Sequence, residues 1–71
     1  MQIVINGSER DFPSLSESST VADLIPALEL KTDRVAIEQN GTIVRRNDWP
    51  STPVRPGDKF EVVHFVGGGT Y

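Results

Sequence analysis

Lys59-Phe60-Glu61-Val62-Val63-His64-Phe65-Val66 decides the fold. The run is rich in β-branched and aromatic residues, the types that suit a pleated strand. Its apolar residues fall at both odd and even positions, the pattern of a central strand covered on both faces. Arg55-Pro56-Gly57-Asp58, directly before it, reads as a type II turn, with Pro at the second position and Gly at the third, where φ must be positive. Gly67-Gly68-Gly69 directly follows it, and then Thr70-Tyr71.

The opening of the chain supplies a matching apolar strand. Gln2 to Asn6 is β-branched and apolar, and Asn6-Gly7 is a type I′ hairpin signal that turns the chain into Ser8 to Phe12. Pro13 ends that pairing because it has no N–H to donate. A helix starts at Thr20, an N-cap with Asp23 three residues on as a variant of the capping box. Val21, Leu24, Ile25 and Leu28 make one apolar stripe. Pro26 lies past the first turn, so a kink or a short 3₁₀ stretch is expected there. Arg34 to Gln39 alternates, Asn40-Gly41 signals a second hairpin, and Thr42 to Val44 returns. Arg45 to Pro53 reads as irregular, with Trp49 either a hydrophobic lid on the core or a partner-binding aromatic.

One helix on a mixed sheet is the economical way to bury these faces. The first and last strands pair best as parallel neighbours at the sheet centre. The fold class is therefore α+β: a β-grasp, or ubiquitin-like, arrangement of four to five strands packed against one main helix. Residues 1–66 form the domain, and 67–71 a C-terminal glycine tail with a two-residue extension.

A chain of 71 residues makes one domain with little room for a pocket walled by catalytic groups. A binding or interaction module fits better than an enzyme. The net charge is −3, and Arg45-Arg46 is the only basic cluster, which argues against nucleic-acid binding. With no cysteine there is no disulfide, thiolate nucleophile or Cys-based zinc site. No segment approaches the ~20 apolar residues of a membrane span, and no signal-peptide pattern opens the chain. A cytoplasmic protein is the expectation.

The usual signs of catalysis are weak. His64 is the only histidine and has no acidic or hydroxyl partner at a telling spacing, so neither general-base chemistry nor a metal site is expected. The carboxylates are dispersed. Asp48 and Asp58 sit at turns, where Asp bonds nearby backbone amides, and the others read as surface solubility. Gly67-Gly68-Gly69 is no phosphate loop, since no helix follows it. Three glycines after an anchored strand can instead thread a narrow partner channel and present an unhindered carboxylate. The residues leave open a second account, a glycine terminus without a role.

The chain resembles the ThiS family of sulfur carriers over nearly its whole length. The resemblance is carried by Met1-Gln2-Ile3-Val4-Ile5-Asn6-Gly7, Thr20-Val21-Ala22-Asp23-Leu24, Val35-Ala36-Ile37-Glu38-Gln39-Asn40-Gly41 and Ile43-Val44-Arg45-Arg46-Asn47-Asp48-Trp49, followed by Pro56-Gly57-Asp58, Val62–Val66 and the glycines. The MoaD carriers of molybdopterin synthesis share the fold and tail, but the Ile43–Trp49 stretch looks more like ThiS.

The resemblance implies that a ThiF-type enzyme uses ATP to adenylate the terminal glycine. A sulfur donor system then makes a thiocarboxylate, and a ThiG-type thiazole synthase takes the sulfur for thiamine. The carrier itself is a protein co-substrate and binds no cofactor. By motif position Gly69 carries the sulfur, and Gly67 and Gly68 thread into the partner. Phe65 and Val66 are docking candidates and equally core candidates. Thr70-Tyr71 departs from the pattern, because Gly69 then has no free carboxylate. Removal of the two residues, by a JAMM-type metalloprotease, is the expectation. Three alternatives remain: a carrier for another pathway, a ubiquitin-like modifier joined through Gly69, and a β-grasp interaction or RNA-binding module of the TGS kind.

Overall fold

Asn6 and Gly7 both have positive φ, 50° and 83°, and so do Asn40 and Gly41, 50° and 88°. These are the two type I′ turns expected from the Asn-Gly pairs. They close β1 (Gln2–Ile5) onto β2 (Ser8–Asp11) and β3 (Val35–Gln39) onto β4 (Thr42–Val44). Gly57 at φ 85°, with the Asp58 N–H donating to the Arg55 carbonyl at 3.1 Å, makes the turn into β5 (Lys59–His64). The computed structural model describes residues 1–30 and 34–64.

The five strands form one mixed sheet in the order β2-β1-β5-β3-β4. β5 runs parallel to β1, with Val4 beside Lys59 and Ile5 beside Phe60. On its other side β5 runs antiparallel to β3, from Val35 opposite His64 to Gln39 opposite Phe60. The expected parallel pairing of first and last strands at the sheet centre is present.

Helix α1 (Val21–Ala27) covers one face of the sheet. Val21, Leu24 and Ile25 are fully buried, and Leu28, just past the helix, is half-buried. The Asp23 carboxylate accepts from the Thr20 N–H at 2.8 Å, the return half of the capping box. The helix ends one residue after Pro26, in the short 3₁₀-like turn expected there as the alternative to a kink. The Leu28 N–H is shared between the Leu24 and Ile25 carbonyls at 3.0 and 3.1 Å, a tightened last turn. Glu29 then takes φ 60° and the Leu30 N–H donates to the Ile25 carbonyl at 3.3 Å, the pattern of a Schellman cap built without glycine.

Two expectations are corrected. Arg45 to Pro53 is not irregular throughout, since Arg46–Ser51 forms a 3₁₀ helix. The Thr52 hydroxyl holds its end by donating to the Asp48 carbonyl at 2.7 Å. Nor is β5 covered on both faces. Phe60 is buried, but Glu61 is exposed and Val63 is 56% exposed. A single helix covers a single face, and the described residues supply no second layer.

Trp49 is 4% exposed and donates from Nε1 to the Val44 carbonyl at 3.0 Å, so the lid reading holds and the partner-binding one does not. It joins Ile3, Ile5, Ile37, Val54 and Phe60 in one core. Each such side chain contributes about 1.5–3 kcal/mol on full burial. Phe65, Val66, Gly67, Gly68, Gly69 and Thr70-Tyr71 lie outside the described residues, as does the domain boundary expected at 66.

Candidate functional site

The structure describes the strand from which the glycine run follows, and shows how that strand is held. β1 ends at Ile5, yet its hold on β5 continues through one side chain. The Asn6 backbone N–H donates to the Phe60 carbonyl at 2.9 Å. Its carboxamide oxygen accepts from the Val62 N–H at 2.7 Å, and its Nδ2 donates to the Val62 carbonyl at 3.2 Å. The side chain of Asn6 therefore stands in for one more residue of parallel strand.

Asn40 does the same at the other end. Its N–H donates to the Lys59 carbonyl at 2.7 Å, and its Oδ1 accepts from the Lys59 N–H at 2.9 Å. Both asparagines also occupy the positive-φ position of a type I′ turn, which Asn tolerates better than most residues. Sequence reasoning identified them as turn residues only. The available signal was the choice of Asn in both turns, since Asn alone among the good residues for this position carries a paired donor and acceptor.

Asp58 fixes the entry to β5. It accepts from the Arg55 N–H at 2.8 Å, Gln39 Nε2 at 2.9 Å and Asn40 Nδ2 at 3.0 Å. Partial burial pushes its carboxyl up. The bonds from Asn40, the Arg55 backbone and Gln39, with the charge of Arg55, outweigh that and hold it below the usual carboxylate range. The expected turn role of Asp58 is thus present and extends to two side chains of the β3–β4 hairpin.

At the far end of β5, His64 is exposed. It borders an open groove of about 180 Å³ with Ile5, Asn6, Arg10, Leu28, Leu30 and Val62. Its imidazole has no hydrogen-bonded or ion-paired partner among the described residues. No group of three or more His, Cys, Asp or Glu able to hold a metal occurs among the described residues. No helix among them is long and apolar enough to cross a membrane. What the described residues form is an anchor: a central strand, held by carboxamides at its first residue, Lys59, and at Val62, and followed in sequence by the glycines.

The comparisons with known proteins agree with this geometry. The ThiS family profile matches residues 3–69, from the first buried residue of β1 to the last glycine. A thiazole synthase of Paramagnetospirillum magneticum is 43% identical over 70 residues, 99% of this chain, and this chain spans only 21% of that protein's length. The sulfur carrier protein ThiS of Bacillus subtilis is 31% identical over 65 residues, covering 92% of this chain and 96% of its own. The crystal structure of a thiamine biosynthesis protein (ThiS) from Geobacter metallireducens superposes with a TM-score of 0.80 at 33% identity, covering 97% of this chain and all of its own. A family match that begins at the anchored sheet and runs to Gly69 places the whole described architecture in one lineage: the chain belongs to the ThiS family, with its β-grasp fold.

Proposed function

We propose that the chain is a sulfur carrier for thiazole formation in thiamine biosynthesis, and that Gly69 is the residue that carries the sulfur. The observation that carries this reading is the extent of the family match, which reaches Gly69 and leaves Thr70-Tyr71 beyond it. The anchored β5 supports it, because a tail that must enter a partner's active site needs a fixed root. The likeness to thiazole synthases favours the thiazole pathway over molybdopterin or another acceptor.

In this scheme Thr70-Tyr71 is hydrolysed off first, by a JAMM-type protease, freeing the Gly69 carboxylate. A ThiF-type enzyme transfers AMP from ATP to that carboxylate and releases pyrophosphate. Sulfide from a donor system displaces AMP and leaves a thiocarboxylate, which a ThiG-type thiazole synthase consumes. Gly67 and Gly68 lie within the adenylating enzyme, where the lack of a side chain allows close approach. Phe65 and Val66 contact the partner at its mouth. ATP binds to that enzyme, and the carrier has no resident cofactor.

Mass spectrometry of the full-length and Gly69-ending chains, each incubated with a ThiF-type enzyme, MgATP and a sulfur donor, tests this. The expected result is exchange of one oxygen for sulfur in the Gly69-ending chain alone. Thiocarboxylation of a chain that retains Tyr71 would sink the processing step. Failure of both chains, with a known ThiS converted alongside, would sink the carrier reading.

A further inference from the structure

Asn6-Gly7 and Asn40-Gly41 turn the two hairpins, and each pair also carries a reaction. Glycine after asparagine leaves its backbone nitrogen unhindered for attack on the carboxamide carbon. That nitrogen gives up its proton and bonds to Asn Cγ. The Cγ–Nδ2 bond breaks, and ammonia leaves with the proton. Water then opens the cyclic imide on either side. One opening gives aspartate. The other gives isoaspartate, in which the main chain gains a methylene and the side group loses it. Space around the turns permits the reaction. All four residues are exposed, and a Cβ placed on either glycine would meet no other atom within 4 Å.

The fold restrains both sites through hydrogen bonds. The Asn6 carboxamide is tied to Val62 through both its oxygen and its nitrogen. The Asn40 carboxamide accepts from the Lys59 N–H and donates to Asp58. Attack needs a carboxamide free to rotate, so the rate follows the fraction of time each turn is open. β2 pairs with β1 over Ser8–Asp11, and the Met1 amino group ties its far end to Asp11 at 3.2 Å. β4 pairs with β3 over the shorter run Thr42–Val44. The β3–β4 turn is therefore the easier to open.

The aspartate products differ further. At position 6, aspartate keeps the bond from the Val62 N–H and sets its second oxygen against a carbonyl, at an exposed position. At position 40, it keeps the bond from the Lys59 N–H and sets its second oxygen where Nδ2 stood, 3.0 Å from the Asp58 carboxylate. Two full charges then oppose each other. Asp58 also loses one of the three bonds it accepts from Arg55, Gln39 and Asn40. Arg55 and Lys59, the cations of this turn, make no ion pair with Asp58 among the described residues.

We propose that Asn40 is a site of spontaneous deamidation that releases the start of β5, and that deamidation to aspartate at Asn6 is slower and far less damaging. The proposal goes beyond the carrier role and does not depend on it. Asp58 precedes Lys59, the first residue of β5, and its bond from Asn40 ties that entry to the β3–β4 hairpin. Repulsion there frees the entry of the central strand. Each event adds one negative charge to the net −3, so aged chains separate from fresh ones by anion exchange.

Peptide mapping by mass spectrometry tests the proposal on the full chain, aged warm at mildly alkaline pH in its native state and in urea. In urea both asparagines should exchange NH for oxygen at similar rates. In the native chain both should react at least about tenfold more slowly, with Asn40 ahead of Asn6. Asn40→Asp and Asn6→Asp encode the two aspartate products, and Asp-Gly keeps the type I′ turn. Asn40→Asp should lower the urea midpoint of unfolding by more than Asn6→Asp does. In an Asp58→Asn background, Asn40→Asp should lose most of its effect. If Asn40→Asp does not fold, the aged wild-type chain isolated by anion exchange supplies the midpoint. Native deamidation confined to Asn6, or equal midpoints for the two variants, would overturn the proposal. So would an Asn40→Asp effect untouched by Asp58→Asn, because opposed charge would then not be its cause.

Discussion

Asn6 combines a backbone role and a side-chain role that two substitutions separate. Asn6→Gly keeps the positive-φ turn and loses both carboxamide bonds to Val62. At about 1 kcal/mol for each net hydrogen bond, the loss in unfolding free energy by urea titration is about 1–2 kcal/mol. Asn6→Ala adds the strain of a left-handed alanine and should cost about 1 kcal/mol more. Asp58 makes a second test, through pH. Its folded pKa lies below the unfolded value of 3.8, so its contribution is fully present above that value. It is lost as pH falls through the lower folded value. Asp58→Asn should therefore lower stability at pH 7 and reduce the further loss on acidification, read from urea midpoints at both pH values. The turn roles of Asn6, Asn40 and Asp58 were legible because they depend on neighbouring residues. Their bridges were not, because Asn6 meets a strand 56 residues away.

At the scale of elements, the start of α1 was legible and its end was not. The stripe of Val21, Leu24 and Ile25 and the Thr20–Asp23 cap are local patterns. The stop at Ala27 comes from Pro26 acting together with a Schellman cap that lacks the glycine by which such caps are recognised. Glu29 holds the left-handed position with a Cβ that opposes it. Glu29→Gly should raise stability by about 0.5–1 kcal/mol, the relief of that strain less the added freedom of the unfolded chain, as read from thermal or urea unfolding. The 3₁₀ helix Arg46–Ser51 escaped notice for a related reason. Its apolar content is the single Trp49, and a helix with one buried residue has no periodicity to read.

For the whole molecule, the sheet order followed from two strongly apolar segments, the first and the last, that both need covered positions. The error about β5 has the same origin. Apolar residues on its outer face were read as buried, whereas Val63 is exposed together with Ile43, and the register that brings Glu38 against Glu61 exists only in the assembled sheet. The buried core runs from Ile3 to Phe60. A chain ending at Gly69 should therefore unfold within about 0.5 kcal/mol of the full chain, as expected for changes outside the core. Calorimetry on the two forms checks this, and a larger loss would mean that Thr70-Tyr71 packs on the domain. The parallel pairing of β1 with β5 also has a mechanical meaning. Tension applied between Met1 and the end of β5 loads the two central strands in shear, so their bonds and the Asn6 bridge resist together and do not open one by one like a zip. Under the proposed carrier role, a partner that pulled on the residues after β5 would load these strands in shear, and the domain would act as a rigid handle.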